Sequence, residues 1–478
     1  MVEAAMTTAP ACGEFANAYA AFSSALRSSA LPPAALNAAK ANLLDTLACA
    51  IAGSSAPGVA EVADLARKWG GAGEASIWGS ASRVPAHHAA WVNGMMAHAR
   101  DYDDTHDAAV LHAGVSVVPA ALAAAELKGD ATGADLLAGI AAGLELICRL
   151  GIGTTIGIIE SGFIYTSLFG YFGATAAAAR VMGLDAEQTV NALGIAYSQV
   201  AGTHQVTRDA ALTKRMQPGF AAKAALVSVE LTQRGIRGAQ NTFDGVDGLF
   251  RTYLRDRVDP QALRKGLGER YEFCELSYKP YPCCRFDHTA IDAALQIRAR
   301  AGFDVGKVRS AQVGVNRQAF EAVCTPLDMR KRPKTIVQAQ FSIPYTVACA
   351  LIDGGVGLGH FTEEGLRRAD VLSLAARIDG RVDEGIERDW GRNISPSHIR
   401  LELTDGAVLE SRVDLPRGHA SFPMTARDVE AKLADCIGFS AEPLAADTAG
   451  RLRLLVDTLE QSNSVLPLIH VLRPAVLQ

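Results

Sequence analysis

The sequence predicts a mainly α protein: a large all-helical domain with a smaller inserted α+β domain. Three observations point there. Up to about residue 271 the chain reads as one helical pattern after another. Between 272 and 418 alternating, strand-like runs appear. After Pro423 the helical period returns.

The elements follow in order. Residues 33–51, PAALNAAKANLLDTLACAI, place apolar side chains at three- and four-residue spacing behind a proline. Proline fits a first helical turn because no hydrogen bond is lost there. Residues 131–150 and 168–200 are rich in Ala, Leu, Ile and Val, with polar residues on one side. Gly53, Gly183 and Gly235 fall just past helical patterns, where a glycine commonly ends a helix. VRSAQVGVN (308–316) alternates with the two-residue period of a strand. IRLELTDGAVLESRVDLP (399–416) is two alternating runs around Asp405-Gly406, a hairpin signal. FSIPYTVACALIDG (341–354) reads as a helix between them. TARDVEAKLADCIG and DTAGRLRLLVDTLEQ are helical again and are expected to pack back onto the first domain. The expected division is a tail over 1–12, a helical domain over 13–271, an α+β domain over 272–418 and returning helices over 419–478. A cleft between two such domains is a common place for a ligand.

Composition narrows the function. A net charge of −5 and a pI near 6.1 argue against a non-specific nucleic-acid binder, which needs a basic face. The first cation is Arg27, so the basic start of a signal peptide is missing. No uncharged apolar run approaches the ~18 residues of a membrane span. The expected location is cytoplasmic. Nine cysteines, an odd number, fit reduced thiols better than a disulfide framework. GIGTTIG (151–157) misses the dinucleotide fingerprint and follows a helix rather than a strand.

Three segments carry chemistry. NGMMAHARDYDDTHDAAVLHAG (93–114) gathers Asp101, Asp103, Asp104, His106, Asp107 and His112. Such a density can supply general acids and bases or bind a divalent metal. It can equally be a solvated loop with Thr105 or Asp107 capping a helix. TKRMQPGFAAKAAL (213–226) sets Lys214 and Arg215 ahead of Pro218-Gly219 and a helix. Helix-start N–H groups would add partial positive charge there and make an anion site. Ordinary surface cations are the plain alternative. KPYPCCRFDH (279–288) suits neither a helix nor a strand. Its adjacent Cys283 and Cys284 lack the spacing of zinc or redox pairs. Lys279 and Arg285 remain as carboxylate ligands, with arginine able to grip bidentately, on a loop stiffened by Pro280 and Pro282. A rigid hinge with incidental cations is the alternative. As a loop residue, Lys279 is expected to contribute little to a core.

Taken together, these segments resemble the MmgE/PrpD family. The matching pieces are VNGMMAHARDYDDTH, FGYFGATAAAARVMGL, TKRMQPGFAAKAAL, KPYPCCRFDHTAIDAAL and FSIPYTVACAL, in order along nearly the whole chain. Members include 2-methylcitrate dehydratases, cis-aconitate decarboxylases and iminodisuccinate epimerases. The resemblance implies a homodimer of large helical domains, each with a smaller α+β lid, and an active site between the two domains. It implies no metal or organic cofactor, and a small polycarboxylate as the partner. Carried across, Asp101 and Thr105 match the family's acidic loop, and His112 a histidine that follows it at a spacing one residue longer here. Lys214 matches a lysine before a helix, and Lys279 the lysine that opens the proline–cysteine run. Two imidazoles are missing. Where members commonly carry a Gly-Trp/Phe-His segment, SGFIYTSLFG (161–170) has Ile164, followed by Tyr165. Where a Leu-His pair is common, Met216-Gln217 stands.

The expected activity is a cofactor-independent lyase acting on a small di- or tricarboxylic acid by proton abstraction next to a carboxylate, of the 2-methylcitrate dehydratase type. His112 is the leading proton-transfer group, with Asp101 orienting it or sharing the role. Lys214, Lys279 and Arg285 hold carboxylates, and Thr105 bonds the substrate. Arg215 and Tyr165 complete the expected contacts. Epimerisation or decarboxylation is the alternative within the family. A homologue that binds a polycarboxylate without turning it over is the alternative outside enzymes.

Overall fold

The structure is a computed structural model that describes residues 13–209, 211–391, 394 and 396–475. The expected tail over 1–12 lies outside the described residues. Helix accounts for 58% and strand for 9%, so the fold is mainly α with small sheet regions.

The longer helices are α1 (Glu14–Ala25), α2 (Pro33–Gly53), α3 (Val59–Trp69), α4 (Ala86–His98), α5 (Gly114–Lys128), α6 (Gly133–Ile152), α7 (Gly170–Met182), α8 (Ala186–Tyr197) and α9 (Thr213–Gln233). After them come α10 (His288–Arg298), α11 (Ile343–Asp353), α12 (Ala426–Gly438) and α13 (Thr448–Asp457). Local chemistry sets several boundaries. Pro33 opens α2. Thr132 with Asp135, Asp185 with Gln188 and Thr425 with Asp428 form reciprocal capping boxes at α6, α8 and α12. Gly183 ends α7 in the left-handed region at φ 77°. α9 begins at Thr213, before Lys214 rather than after it. The two cations therefore lie in its first turn, and Pro218 lies inside the helix.

Besides a short antiparallel pair, Ala75–Ser76 with Arg83–Val84, the strands are β1 (Thr105–His106), β2 (Leu276–Ser277), β3 (Val308–Val315), β4 (Ile378–Val382), β5 (Ser397–Leu403) and β6 (Val408–Val413). β1 and β2 make a two-stranded antiparallel link, with Thr105 opposite Ser277. The other four form one sheet in the order β4-β3-β5-β6, antiparallel except for the parallel pair β3–β4. β4 gave no strand signal in the sequence. It is the five residues IDGRV, of which only Ile378 is fully buried.

Two apolar cores result. The larger runs from Phe15 to Leu276, adds Leu358, and takes in Leu433 to Leu472 from the C-terminal helices. The smaller runs from Tyr281 to Val413. The chain passes from one to the other at 277–280. Among the described residues no helix is long and apolar enough to cross a membrane.

Candidate active site

Two helices meet where the acidic segment begins. α4 and α9 cross at Gly94 and Gly219, where a Cβ on Gly94 would stand 2.8 Å from the Gly219 Cα. Only glycine permits so close a backbone approach. The crossing brings Lys214, in the first turn of α9, to the end of α4. Its Nζ lies 3.2 Å from His98 Nε2.

Beyond His98 the chain turns through 99–104. Asp101 takes φ 55°, a left-handed conformation that Asp tolerates better than most residues. His98 Nδ1 then lies 2.8 Å from Asp103 Oδ2, and His112 Nδ1 lies 3.1 Å from the same oxygen. His112 Nδ1 is also 2.5 Å from the Asp104 carbonyl. A carboxylate oxygen and a carbonyl both accept, so each ring presents Nδ1–H to them. His98 Nε2 is left as an acceptor for the Lys214 ammonium. His112 Nε2 makes no hydrogen bond among the described residues, and that side chain is 20% exposed. The result is a chain of ammonium, imidazole, carboxylate and imidazole. Asp104 sits beneath it and accepts from Ala113 N at 2.8 Å and Gly114 N at 3.0 Å, satisfying the start of α5.

Charge follows geometry. Burial pushes the His98 imidazole down to about 4, more than the facing Asp103 raises it, so it is neutral at pH 7. Burial would raise Asp103, but His112 and His98 outweigh it and hold the carboxyl well below its ordinary value. Burial would raise Asp101 as well, and Lys279 with Lys214 reverses that. Burial and then the Asp103 charge lift Asp104 to about 7.

Lys279 departs from the expectation of a loop lysine peripheral to any core. It is 1% exposed, and its ammonium donates to the Asp101 carbonyl at 3.0 Å and to Asp101 Oδ1 at 3.1 Å. Proline-rich backbone holds it at the passage between the two cores. Thr105 is fixed opposite Ser277 by the β1–β2 link, with Oγ1 3.5 Å from His112 Nδ1. Asp101, Thr105, His112, Lys214 and Lys279 are thus brought together.

The other three expected contacts have other partners. Arg285 spans Asp107, with Nε and Nη2 each 3.2 Å from a carboxylate oxygen. Its Nη1 donates to the Arg417 carbonyl at 3.2 Å, and Ser277 Oγ donates to the same Asp107 at 2.7 Å. The guanidinium is occupied within the protein as a bridge between the two cores. Tyr165 is buried and its hydroxyl donates to the Ile156 carbonyl. Arg215 Nη1 lies 3.3 Å from the Pro57 carbonyl. Sequence reasoning missed His98. The signal was its place in the same segment, three residues before Asp101.

His98, Asp103 and His112 offer three ligand atoms within 4.8 Å of one another, a set that suits a transition metal. Two features oppose one. Both rings already commit an Nδ1–H to Asp103, the third member of the set. The ammonium of Lys214 is also already in contact with His98. Elemental analysis of protein purified without added metal is expected to find no stoichiometric zinc, iron or magnesium. One tightly bound equivalent, with activity lost to chelator and restored by that metal, would overturn this.

Two family models match the chain: the MmgE/PrpD N-terminal domain over residues 17–261 and the MmgE/PrpD C-terminal domain over residues 281–460. The chain is 26% identical to the cis-aconitate decarboxylase-like protein oryM of Aspergillus oryzae, over 94% of this chain and 95% of that one. It is 24% identical to a cis-aconitate decarboxylase of Aspergillus terreus, over 92% of each. It is 25% identical to the human cis-aconitate decarboxylase, over 88% of this chain and 86% of the relative. The acidic turn and the proline–cysteine run lie one on each side of the boundary between the two matched domains, and the chain belongs to the MmgE/PrpD family.

Proposed function

We propose that the protein is a cofactor-independent lyase that moves a proton next to a carboxylate of a small di- or tricarboxylic acid. The observation that carries this is the hydrogen-bonded set Lys214–His98–Asp103–His112 beside Lys279 and Asp101. His112 Nε2 is the base. Its partner Asp103 accepts from Nδ1–H, which fixes the tautomer and stabilises the imidazolium formed when the ring takes the substrate proton. An ammonium group has three N–H donors. Lys279 uses two bonds on Asp101, which leaves one for a substrate carboxylate. Lys214 provides a second positive charge where enolate-like charge develops, worth about 10²–10³ in rate for one well-placed donor. Asp101 Oδ2 and Asp103 Oδ1 are buried acceptors with no hydrogen-bond partner among the described residues, suited to a substrate hydroxyl.

Within this class the reading is dehydration of the 2-methylcitrate type. Ile164 supports it, because an apolar side chain cannot carry the proton that a histidine there would. Decarboxylation is the second reading, supported by the names of the relatives. The two are separated by assaying wild type and Ile164→His side by side on cis-aconitate and 2-methylcitrate. Wild type is expected to release water from 2-methylcitrate and to form little itaconate, with Ile164→His gaining in itaconate. Brisk itaconate formation by the unmodified protein would sink the dehydratase reading and leave the decarboxylase one.

A further inference from the structure

Lys432 lies on α12, the first helix to return from the smaller core, and is 4% exposed. Its ammonium is 2.5 Å from Asp45 Oδ1 on α2 and 2.7 Å from the Tyr102 carbonyl. It also stands 4.4 Å from the centre of the Tyr102 ring, a cation–π contact. Tyr102 is the residue between Asp101 and Asp103. Its hydroxyl donates to the Pro280 carbonyl at 3.3 Å, next to Lys279. Burial works against charge on Lys432, and the facing Asp45 carboxylate outweighs it, so the amine stays protonated.

Other bonds hold the flanking residues, Gln340 Nε2 on the Arg100 carbonyl at 2.8 Å and Lys279 on the Asp101 carbonyl among them, while Lys432 is what holds the Tyr102 carbonyl. Asp101 holds its left-handed conformation within this turn. The Asp101 carbonyl is thus held by Lys279 and the Tyr102 carbonyl, one peptide further on, by Lys432, and the side chains on either side of Tyr102 carry the two carboxylates of the site. A shift of the Tyr102 carbonyl would move Asp101 away from Lys279 and Asp103 away from both imidazoles.

We propose that Lys432 is a positioning residue for the candidate active site. From α12 it fixes the Tyr102 carbonyl between Asp101 and Asp103, and thereby sets both carboxylates against their partners. The turnover part of this proposal rests on the lyase reading above; the geometric part does not.

The test separates positioning from plain stability. Lys432→Met alone strands Asp45 as a buried, uncompensated charge and is expected to lower the Tm. The double variant Asp45→Asn/Lys432→Met removes both charges and is expected to recover most of that loss. Positioning predicts that the double variant still loses about 10²-fold in kcat with KM little changed, as an ångström-scale misplacement does. It also predicts that the downfield proton resonances of the imidazole N–H groups bonded to Asp103 shift or broaden. Asp45→Asn alone keeps the bond to Tyr102 and should lose stability while retaining kcat and those resonances. A double variant with wild-type kcat and unmoved resonances would overturn the proposal. So would Asp45→Asn losing as much kcat as Lys432→Met. The resonances need no substrate: a wild type that turns over no polycarboxylate would sink the lyase reading, and they would still decide the positioning.

Discussion

Lys279→Ala is expected to abolish turnover and to destabilise the protein at neutral pH. The ammonium is buried and paired with Asp101, so its removal leaves a carboxylate inside the protein with its main counter-charge gone. Breaking a buried pair from one side costs about 3–5 kcal/mol. The sign of the pH dependence follows. Asp101 is held below its ordinary value in the folded protein, so the pair's contribution is present above the unfolded value of about 3.9 and is lost as pH falls below it. In the variant, burial favours the protonated Asp101 instead. The stability gap between variant and wild type should therefore be widest near pH 7 and narrow towards pH 4. Denaturant unfolding at the two pH values measures it. A variant with near-wild-type kcat/KM would refute the anion-holding role, and a gap that widens on acidification would refute the ion-pair account.

His112→Ala is expected to lower kcat by about 10²–10⁴, the usual range for loss of a general base. Its Nδ1 shares Asp103 with His98, so Asp103→Asn should fall in the same range by disturbing both rings at once. Tyr165→Phe should leave kcat/KM close to wild type, because the hydroxyl is spent on the Ile156 carbonyl. A large loss in Tyr165→Phe with a small one in His112→Ala would invert the assignment. At neutral pH His98 is uncharged, which suits it to pass polarisation from Lys214 to Asp103 rather than to act as a cation.

The sequence was most readable where chemistry is local. Pro33, Gly183 and Asp405-Gly406 mark boundaries within a few residues of themselves, and the elements there match the pattern. β4 was silent because IDGRV has one fully buried side chain and depends on β3 beside it. The start of α9 was misplaced because Pro218-Gly219 resembles a helix start, whereas the helix tolerates Pro218 within it. In the site, residue types were readable and partnerships were not. Arg285 in a stiff loop reads the same whether it faces a substrate or Asp107, which is 178 positions away. Lys279 was read as peripheral for the same reason. His98 looked like one more position near the end of a helix, since its value lies in three side chains that the fold brings to it. Lys432 gave no signal, because Asp45 is 387 positions distant.

The proposed role of His112, seated on Asp103, is to move a proton next to a substrate carboxylate. NMR of wild type and His112→Ala with a panel of di- and tricarboxylates in D₂O tests it most directly. Wild type is expected to convert at least one of these acids, or to exchange deuterium at the carbon next to a carboxylate. His112→Ala is expected to do so at least about 10²-fold more slowly. Ligand-induced stabilisation of wild type with neither conversion nor exchange, or exchange that is undiminished in His112→Ala, would contradict it.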